Sequence, residues 1–364
     1  MAFVPVAPAL QPPQGMLATQ GSKCLVTGAA GFIGSHLAER LVALGHTVRV
    51  VDNLSTGILA NLAALNGGIE FLHGDVCDPA VCREAVTGID VVFHLAALAS
   101  VPQSLVDPWA AHAANVNATM RLLQACAAAK VARVVYSSSS AVYGDTDATP
   151  RGEATEPLPR SPYAASKLAG EQYVLAFARA GVMEGVALRY FNVFGPRQSP
   201  RSAYAAVIPK FFQAALEDRP ASLYGDGRQT RDFIYVDNVV DANILAASAP
   251  QETVNGWVVN IGAGRRTSLL ELLSMIRRIT GRALTHVAGP ARAGDVRDSV
   301  ADLERAERLL GYQSRISLEE GLGRTWSWLT ACSPALASQS AGPNRNTAPE
   351  FVPSQGVRAV KVPG

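Results

Sequence analysis

The run Gly28-Ala29-Ala30-Gly31-Phe32-Ile33-Gly34 stands directly behind a short apolar stretch, Lys23–Thr27, and opens a helical pattern that continues to Leu44. Gly28 suits a tight strand-to-helix turn, Gly31 lets backbone come close to a ligand, and Gly34 permits close helix–sheet packing. A helix beginning there presents free N–H groups and the positive end of its dipole, which together cradle phosphate. Strand, glycine turn and helix in this order predict the first unit of a dinucleotide-binding α/β domain, with Gly28, Gly31, Phe32, Ile33 and Gly34 around the phosphates.

The alternation continues. Candidate strands are Lys23–Thr27, Thr47–Asp52, Ile69–His73, Val91–His94, Arg133–Ser137 and Val186–Arg189, and candidate helices are Ile33–Leu44, Pro79–Thr87, Pro108–Lys130 and Pro162–Ala180. Short β-branched runs interleaved with amphipathic helices make a parallel sheet covered on both faces. The expected fold class is therefore α/β, a Rossmann-type doubly wound parallel sheet with a smaller, interleaved C-terminal substrate-binding lobe. Residues 21–190 form the nucleotide-binding domain and 191–330 the lobe, with segments near 235–262 returning to the sheet. The Pro-rich stretch 1–20 reads as a disordered leader, and the Ser-, Pro- and Asn-rich stretch 331–364 as a flexible tail.

Charge and cysteine content exclude several functions. A net charge of +2 gives no basic surface for nucleic acid. The five cysteines form no ligand-like pairs with histidine, so no metal site is expected, and they suit reduced thiols in a cytoplasmic protein. No segment reaches the ~20 apolar residues of a membrane span, and the leader lacks the basic start of a secretory signal.

Nucleotide contacts are expected at the carboxyl ends of the strands. Asp52 closes the second strand about 20 residues beyond the glycine turn, where a carboxylate accepts hydrogen bonds from ribose hydroxyls and repels a 2′-phosphate, favouring NAD over NADP. Asp75 and Val76 follow the third strand, and Leu95, Ala96 and Ala97 follow the fourth. Further on, Tyr163 and Lys167 stand at i and i+4 behind Pro162, a residue suited to a helix start. Lysine ammonium and an oxidised nicotinamide both stabilise phenolate, which lowers the tyrosine pKa toward neutrality and makes it a general base. The serine run Ser137–Ser140 ends the strand before that helix and offers a hydroxyl to align a substrate oxygen.

With these features in order, the chain from Lys23 to Leu329 resembles the extended short-chain dehydrogenase/reductases. Within them it is most similar to the UDP-hexose 4-epimerases, above all those acting on UDP-N-acetylglucosamine. The matching stretches are TGAAGFIG, DNLSTG, HLAALASVPQS, NVNATMRLL, SSSSAVYGD, SPYAASK, LRYFNVFGP, YGDGRQTRDFIYVDNV and RAGDVRDSVAD. The resemblance implies Ser139, Tyr163 and Lys167 as catalytic group, and adds Asn53, Ser55, Gly57, Asn115 and Phe191 to the cofactor shell. It implies a UDP-sugar as partner, held by Ser100, Ser139, Tyr163, Asn192, Val207, Tyr224, Arg231, Arg292, Asp295 and Ser299, with Arg231 and Arg292 clamping the diphosphate. The implied chemistry is redox-neutral: NAD takes hydride from C4 and returns it to the opposite face of a transient 4-keto sugar, and no NAD need be added.

Two departures narrow the substrate. Related 4,6-dehydratases carry an acidic pair, and uronate decarboxylases a glutamate, where this chain has Ser140 and Ala141. Ser299 stands where glucose-restricted epimerases carry a bulky tyrosine, leaving room for a 2-acetamido group. The expectation is therefore UDP-N-acetylglucosamine/UDP-N-acetylgalactosamine interconversion, with activity on UDP-glucose/UDP-galactose. A UDP-uronic acid epimerase or decarboxylase, with Arg201 meeting the carboxylate, is one alternative; a non-catalytic NAD-sensing protein is another. Family members also dimerise through helices like Pro108–Lys130 and Pro162–Ala180, so a homodimer is expected.

Overall fold

A computed structural model describes residues 21–65, 67–146, 148–199, 206–290 and 296–338. Its centre is a seven-stranded, wholly parallel sheet. The strands are β1 (Lys23–Thr27), β2 (Thr47–Asp52), β3 (Ile69–His73), β4 (Val91–His94), β5 (Arg133–Ser139), β6 (Glu184–Tyr190) and, later in the chain, β11 (Trp257–Ile261). Their order across the sheet is β11-β6-β5-β4-β1-β2-β3. The chain reverses direction of travel between β1 and β4, which opens a crevice at their carboxyl ends.

Side-chain alternation along each strand builds a core on each face. Val26, Val50, Phe93 and Val135 pack with helices α1 (Phe32–Ala43) and α8 (Val236–Ser248) on one side. Their neighbours Leu25, Val51, Val92 and Val134 face α2 (Pro79–Val86), α5 (Ala118–Ala129) and α6 (Pro162–Arg179) on the other. Strands buried on both faces read as nearly continuous apolar runs, and for this reason their positions were visible in the sequence.

The first crossover beyond β4 differs from the single helix expected over Pro108–Lys130. It contains α3 (Val101–Val106), α4 (Pro108–His112), a wide turn over Ala113–Asn117 and then α5. The wide turn is a π-bulge, which places Asn115 inward at 1% exposure.

The smaller lobe comprises β7 (Asn192–Phe194), α7 (Val207–Leu216), β8 (Ala221–Tyr224), β9 (Thr230–Arg231), β10 (Phe233–Tyr235), α9 (Gln251–Val254), β12 (Thr267–Ser268), α10 (Leu269–Thr280), β13 (His286–Gly289), α11 (Glu304–Leu310) and α12 (Leu318–Ser338), of which α9 and α11 lean back on the sheet domain. Phe211, Phe212, Leu223, Phe233, Leu272 and Leu322 form its separate core. The paired two- and three-residue strands are too short to declare themselves by periodicity. The tail expected from residue 331 is helical as far as Ser338, because the alanine-rich end sustains α12 without an apolar stripe to announce it. The leader, residues 339–364, and the positions of Arg201, Arg292 and Asp295 lie outside the described residues.

Candidate active site and cofactor cradle

At the glycine turn, Gly28 has φ of +69° and lies so close to β4 that a Cβ there would sit 2.8 Å from the Ala96 backbone. A Cβ on Gly34 would meet the Gly28 carbonyl oxygen at 2.3 Å, so this glycine packs helix against loop rather than helix against sheet. Helix α1 begins after Gly31 with no side chain capping it. Its first N–H groups therefore lack the side-chain acceptor most helices supply and face the crevice, a feature that fits a dinucleotide diphosphate.

Asp52 does more than the sequence suggested. Its Oδ2 accepts from Ala30 N at 2.9 Å and its Oδ1 from Leu54 N at 2.8 Å, so the carboxylate first braces the glycine loop. Each oxygen retains lone-pair capacity, and the negative charge stands at the strand end where a ribose would lie. Gly57 packs against Ala30 and Asp52. Asn53 donates from Nδ2 to Asp75 at 2.9 Å and accepts from Ser55 N at 3.0 Å, linking three expected cofactor residues. Against the upward push of burial, hydrogen bonds from Cys77 and Asn53 hold the Asp75 carboxyl below its ordinary range. Val76 is buried beside it.

Behind this rim lies a relay that the sequence did not reveal. Thr27 Oγ1 accepts from Leu95 N and Ala96 N at 3.1 and 3.0 Å and contacts His94 Nδ1 at 2.8 Å, while His94 Nε2 lies 2.9 Å from Thr119 Oγ1. Thr119 donates to Asn115 O at 2.7 Å, so it must accept from Nε2–H, leaving Nδ1 to accept from Thr27. Asn115 then accepts from Leu98 N at 2.7 Å and donates to Ser166 Oγ at 2.8 Å. The relay fixes the backbone of Leu95, Ala96 and Ala97 against the catalytic helix.

Helix α6 starts with Ser161 as cap and Pro162 in its first turn, and buried Ser104 accepts from Tyr163 N at 3.0 Å. Tyr163 and Lys167 share its inner face. Ser139, the last residue of β5, hydrogen bonds to the Tyr163 phenol and also accepts from Ala141 N at 3.2 Å. Lys167 Nζ stands 4.6 Å from the centre of the buried Tyr136 ring. Burial pushes the Lys167 ammonium down to about 7, opposed by the charge of Glu171. The Tyr163 pKa is raised by burial, with the Ser139 hydrogen bond opposing the rise. The sequence had Lys167 lowering it; in the protein alone, desolvation of the phenolate dominates.

Phe191 is buried against Tyr143, their ring centres 6.4 Å apart. Asn192 follows at the start of β7 and lines, with Val207, Tyr224 and Arg231, a cleft of about 210 Å³. The structure thus gathers four of the ten expected substrate residues in the lobe, and adds Lys210, Phe211 and Gln229 to the lining. Ser299 is buried, its N–H donating to Thr230 O at 3.2 Å, which sets its backbone beside the Thr230–Arg231 strand. Ser100, expected at the substrate, caps α3, its hydroxyl accepting from Gln103 N at 3.2 Å. Asp232 was not anticipated. Fully buried, it accepts from Ala263, Gly264 and Ala301 N–H groups, and its carbonyl accepts from Asn192 N at 2.9 Å, tying the cleft walls together. Burial pushes its carboxyl up to about 6.

Residues 24–262, more than half of the chain, match the model of the NAD dependent epimerase/dehydratase family. A UDP-glucose 4-epimerase of Mycolicibacterium smegmatis is 39% identical over 312 residues, covering 83% of this chain and 97% of that protein. A UDP-N-acetyl-alpha-D-glucosaminuronate decarboxylase of Bacillus cytotoxicus is 35% identical, covering 84% and 97%. Among solved structures, the UDP-N-acetylglucosamine 4-epimerase of Methanobrevibacter ruminantium, in complex with UDP-N-acetylmuramic acid, superposes with a TM-score of 0.81 at 38% identity, covering 86% of this chain and 99% of that one. With the glycine cradle at the sheet's reversal point and a Ser–Tyr–Lys group beside it, the chain belongs to the NAD-dependent epimerase/dehydratase family.

Proposed function

We propose that this protein is an NAD-dependent UDP-sugar 4-epimerase that interconverts UDP-N-acetylglucosamine with UDP-N-acetylgalactosamine and also accepts UDP-glucose and UDP-galactose. The observation that carries the reading is the half-buried Tyr163 phenol, hydrogen-bonded to Ser139 with Lys167 one turn away, in a chain that also carries a dinucleotide cradle and an arginine-bearing cleft. When bound, NAD supplies a hydride acceptor that becomes the donor on the return step. Tyr163 takes the proton of the sugar 4-hydroxyl and later gives it back, while Ser139 holds the same oxygen. Arg231, with Arg292, grips the diphosphate, and Asn192, Val207 and Tyr224 line the nucleotide subsite. The clamp lets the sugar turn over while its tether stays fixed.

Ser140 and Ala141 give the turn after Ser139 no carboxylate for elimination or decarboxylation. Ser299 supports the acetamido substrate, because a small residue on the segment bonded to Thr230 adds no bulk near the Arg231 strand. A UDP-uronic acid is the second reading, favoured by the likeness to the Bacillus cytotoxicus decarboxylase. Incubation with UDP-N-acetylglucosamine, UDP-glucose and a UDP-uronic acid in separate tubes, without added NAD and with products resolved by NMR, tests both. Inversion at C4 of the acetylated sugar is the expected result. Loss of carbon dioxide from the uronic acid, or inertness toward all three, overturns it.

A homodimer and a cytoplasmic setting complete the proposal. Pro108, Trp109, His112, Val116, Pro162 and Ala165 line an apolar groove along α4 and α6, and Trp109 is 80% exposed at its edge. A second copy of the same face covers such a surface. Trp109→Glu should convert the dimer to monomer in light scattering; a wild type that is already monomeric contradicts the idea. Cys24, Cys77, Cys82 and Cys126 are all unpaired, as in a reducing compartment, and no helix among the described residues is long and apolar enough to cross a membrane.

A further inference from the structure

The catalytic helix carries a third titratable group on the same face that the reaction leaves unassigned. Glu171 follows Lys167 by four residues and Tyr163 by eight, so all three lie on the face of α6 that packs against β5. Its side chain is wholly buried. The carboxylate accepts from Arg189 Nη2 at 2.6 Å, from Arg189 Nε at 2.9 Å and from Ser138 Oγ at 2.7 Å. Ser138 directly precedes Ser139, and Arg189 extends over the Tyr143 ring at 4.7 Å, with its Nη1 making no hydrogen bond. One carboxylate thus joins α6 to the ends of β5 and β6 at the level of the reacting groups.

A buried carboxylate–guanidinium pair is a poor stabiliser in itself, because the cost of stripping water from two ions offsets most of their attraction. A third charge, Lys167, lies one helical turn from Glu171 of this pair, on the same helix. Lys167 is 3% exposed and faces Tyr136 from β5, Tyr163 from its own helix and, from β4, a His94 whose burial and whose proximity to Lys167 both keep it neutral. None of these supplies negative charge at neutral pH. Glu171 does, and it is the charge that draws the Lys167 pKa upward against burial.

We propose that Glu171 is a positioning residue for the reaction: its carboxylate keeps Lys167 an ammonium ion beside Tyr163 and anchors the Ser138–Ser139 strand end. The proposal rests on Tyr163 being the base, and not on the identity of the sugar. In an alternating row of Lys167, Glu171 and Arg189, the middle charge governs how readily the phenol ionises. Without it, two cations share a buried site, Lys167 sheds its proton at lower pH, and Tyr163 loses the charge that favours phenolate.

The test compares Glu171→Gln and Arg189→Met with the wild-type holoenzyme. Two quantities are read: the pH profile of kcat and kcat/KM, and the ultraviolet tyrosinate absorbance of Tyr163, taken as the difference from matched Tyr163→Phe proteins. Glu171→Gln should move the alkaline limb down by about one pH unit, move the onset of tyrosinate up, and lower kcat at neutral pH about tenfold with little change in KM. Arg189→Met removes the guanidinium yet leaves the carboxylate facing Lys167, so its alkaline limb should stay or move up. A merely structural brace predicts something else: both variants lose melting temperature and kcat by a pH-independent factor, with limbs and tyrosinate onset unmoved. That result overturns the proposal. Should Glu171→Gln fail to fold, the double variant Glu171→Gln/Arg189→Met, which removes both charges, decides the matter by whether its limb moves down or stays. If wild type turns over no UDP-sugar, the epimerase reading fails, while the tyrosinate titration still judges Glu171 on its own.

Discussion

Proton transfer at the sugar depends on few atoms. Tyr163 is held at two points, its backbone N–H by Ser104 and its phenol by Ser139, with Lys167 one turn along the same helix. Removing the phenol oxygen leaves the fold intact and takes away the base, so Tyr163→Phe should keep its melting temperature and lose about 10²–10⁴ in kcat, measured by coupled turnover. Full activity in that variant contradicts the assignment. On the segment bonded to β9, Ser299→Tyr replaces a small buried side chain by a ring. It should depress kcat/KM for UDP-N-acetylglucosamine at least about tenfold more than for UDP-glucose, since filling a pocket is worth roughly 1–3 kcal/mol of discrimination. An equal loss on both sugars removes Ser299 as a size gate. Tyr163, Lys167 and Ser139 were legible because residue type, spacing and order carry their chemistry. Thr27, Ser104, Glu171 and Asp232 were not, since an ordinary threonine, serine or acid shows its partners only when the chain is folded.

At the scale of elements, the close approach of the glycine loop to the start of α1 decides the cradle. Gly34→Ala would press a methyl group onto the Gly28 carbonyl, where the contact distance is 2.3 Å and the obstacle is backbone. The variant should purify with little bound NAD, read from absorbance after denaturation, and melt lower than wild type; normal cofactor content contradicts the packing role. The relay through His94 makes the strand ends sensitive to acid. Burial, with Lys167 nearby, pushes the His94 pKa down to about 3 from its ordinary value near 6.5. Between those values the unfolded chain binds the extra proton and the folded chain does not, so stability from this group is complete above about pH 6.5 and declines as pH falls toward 3. His94→Gln keeps a neutral donor and acceptor, so its melting temperature should fall less steeply than wild type's between about pH 7 and pH 4. Parallel curves would show that His94 does not carry the acid sensitivity. Strands β1 to β4 coincide with their sequence expectations to the residue; β1 and β4 are buried apolar runs bounded by turns, while β3, at the sheet edge, is a short part-exposed run. The π-bulge at Ala113–Asn117 and the capped helix α3 escaped notice because neither changes the apolar period around it.

Across the whole molecule, two cores do separate work. The sheet domain fixes the glycine turn, β4 and β5 ends and α6 as one rigid body, and the lobe brings Asn192, Val207, Tyr224 and Arg231 over the same crevice. The return of β11 to the sheet, and the bonds of Asp232 to both the 262–264 turn and Ala301, couple the two. Firm walls at the nucleotide and a small residue at the sugar end are what a rotating intermediate requires. This architecture was readable in outline from motif order, whereas the lobe's paired short strands were hidden by their length. The most direct test of redox-neutral inversion is to run the reaction on UDP-N-acetylglucosamine in deuterium oxide and examine C4 of the product by NMR. Hydrogen removed as hydride and returned within one closed site should leave protium at C4 in essentially every product molecule. Deuterium appearing at C4 would mean that the bond is broken by proton exchange with solvent, and would contradict the account.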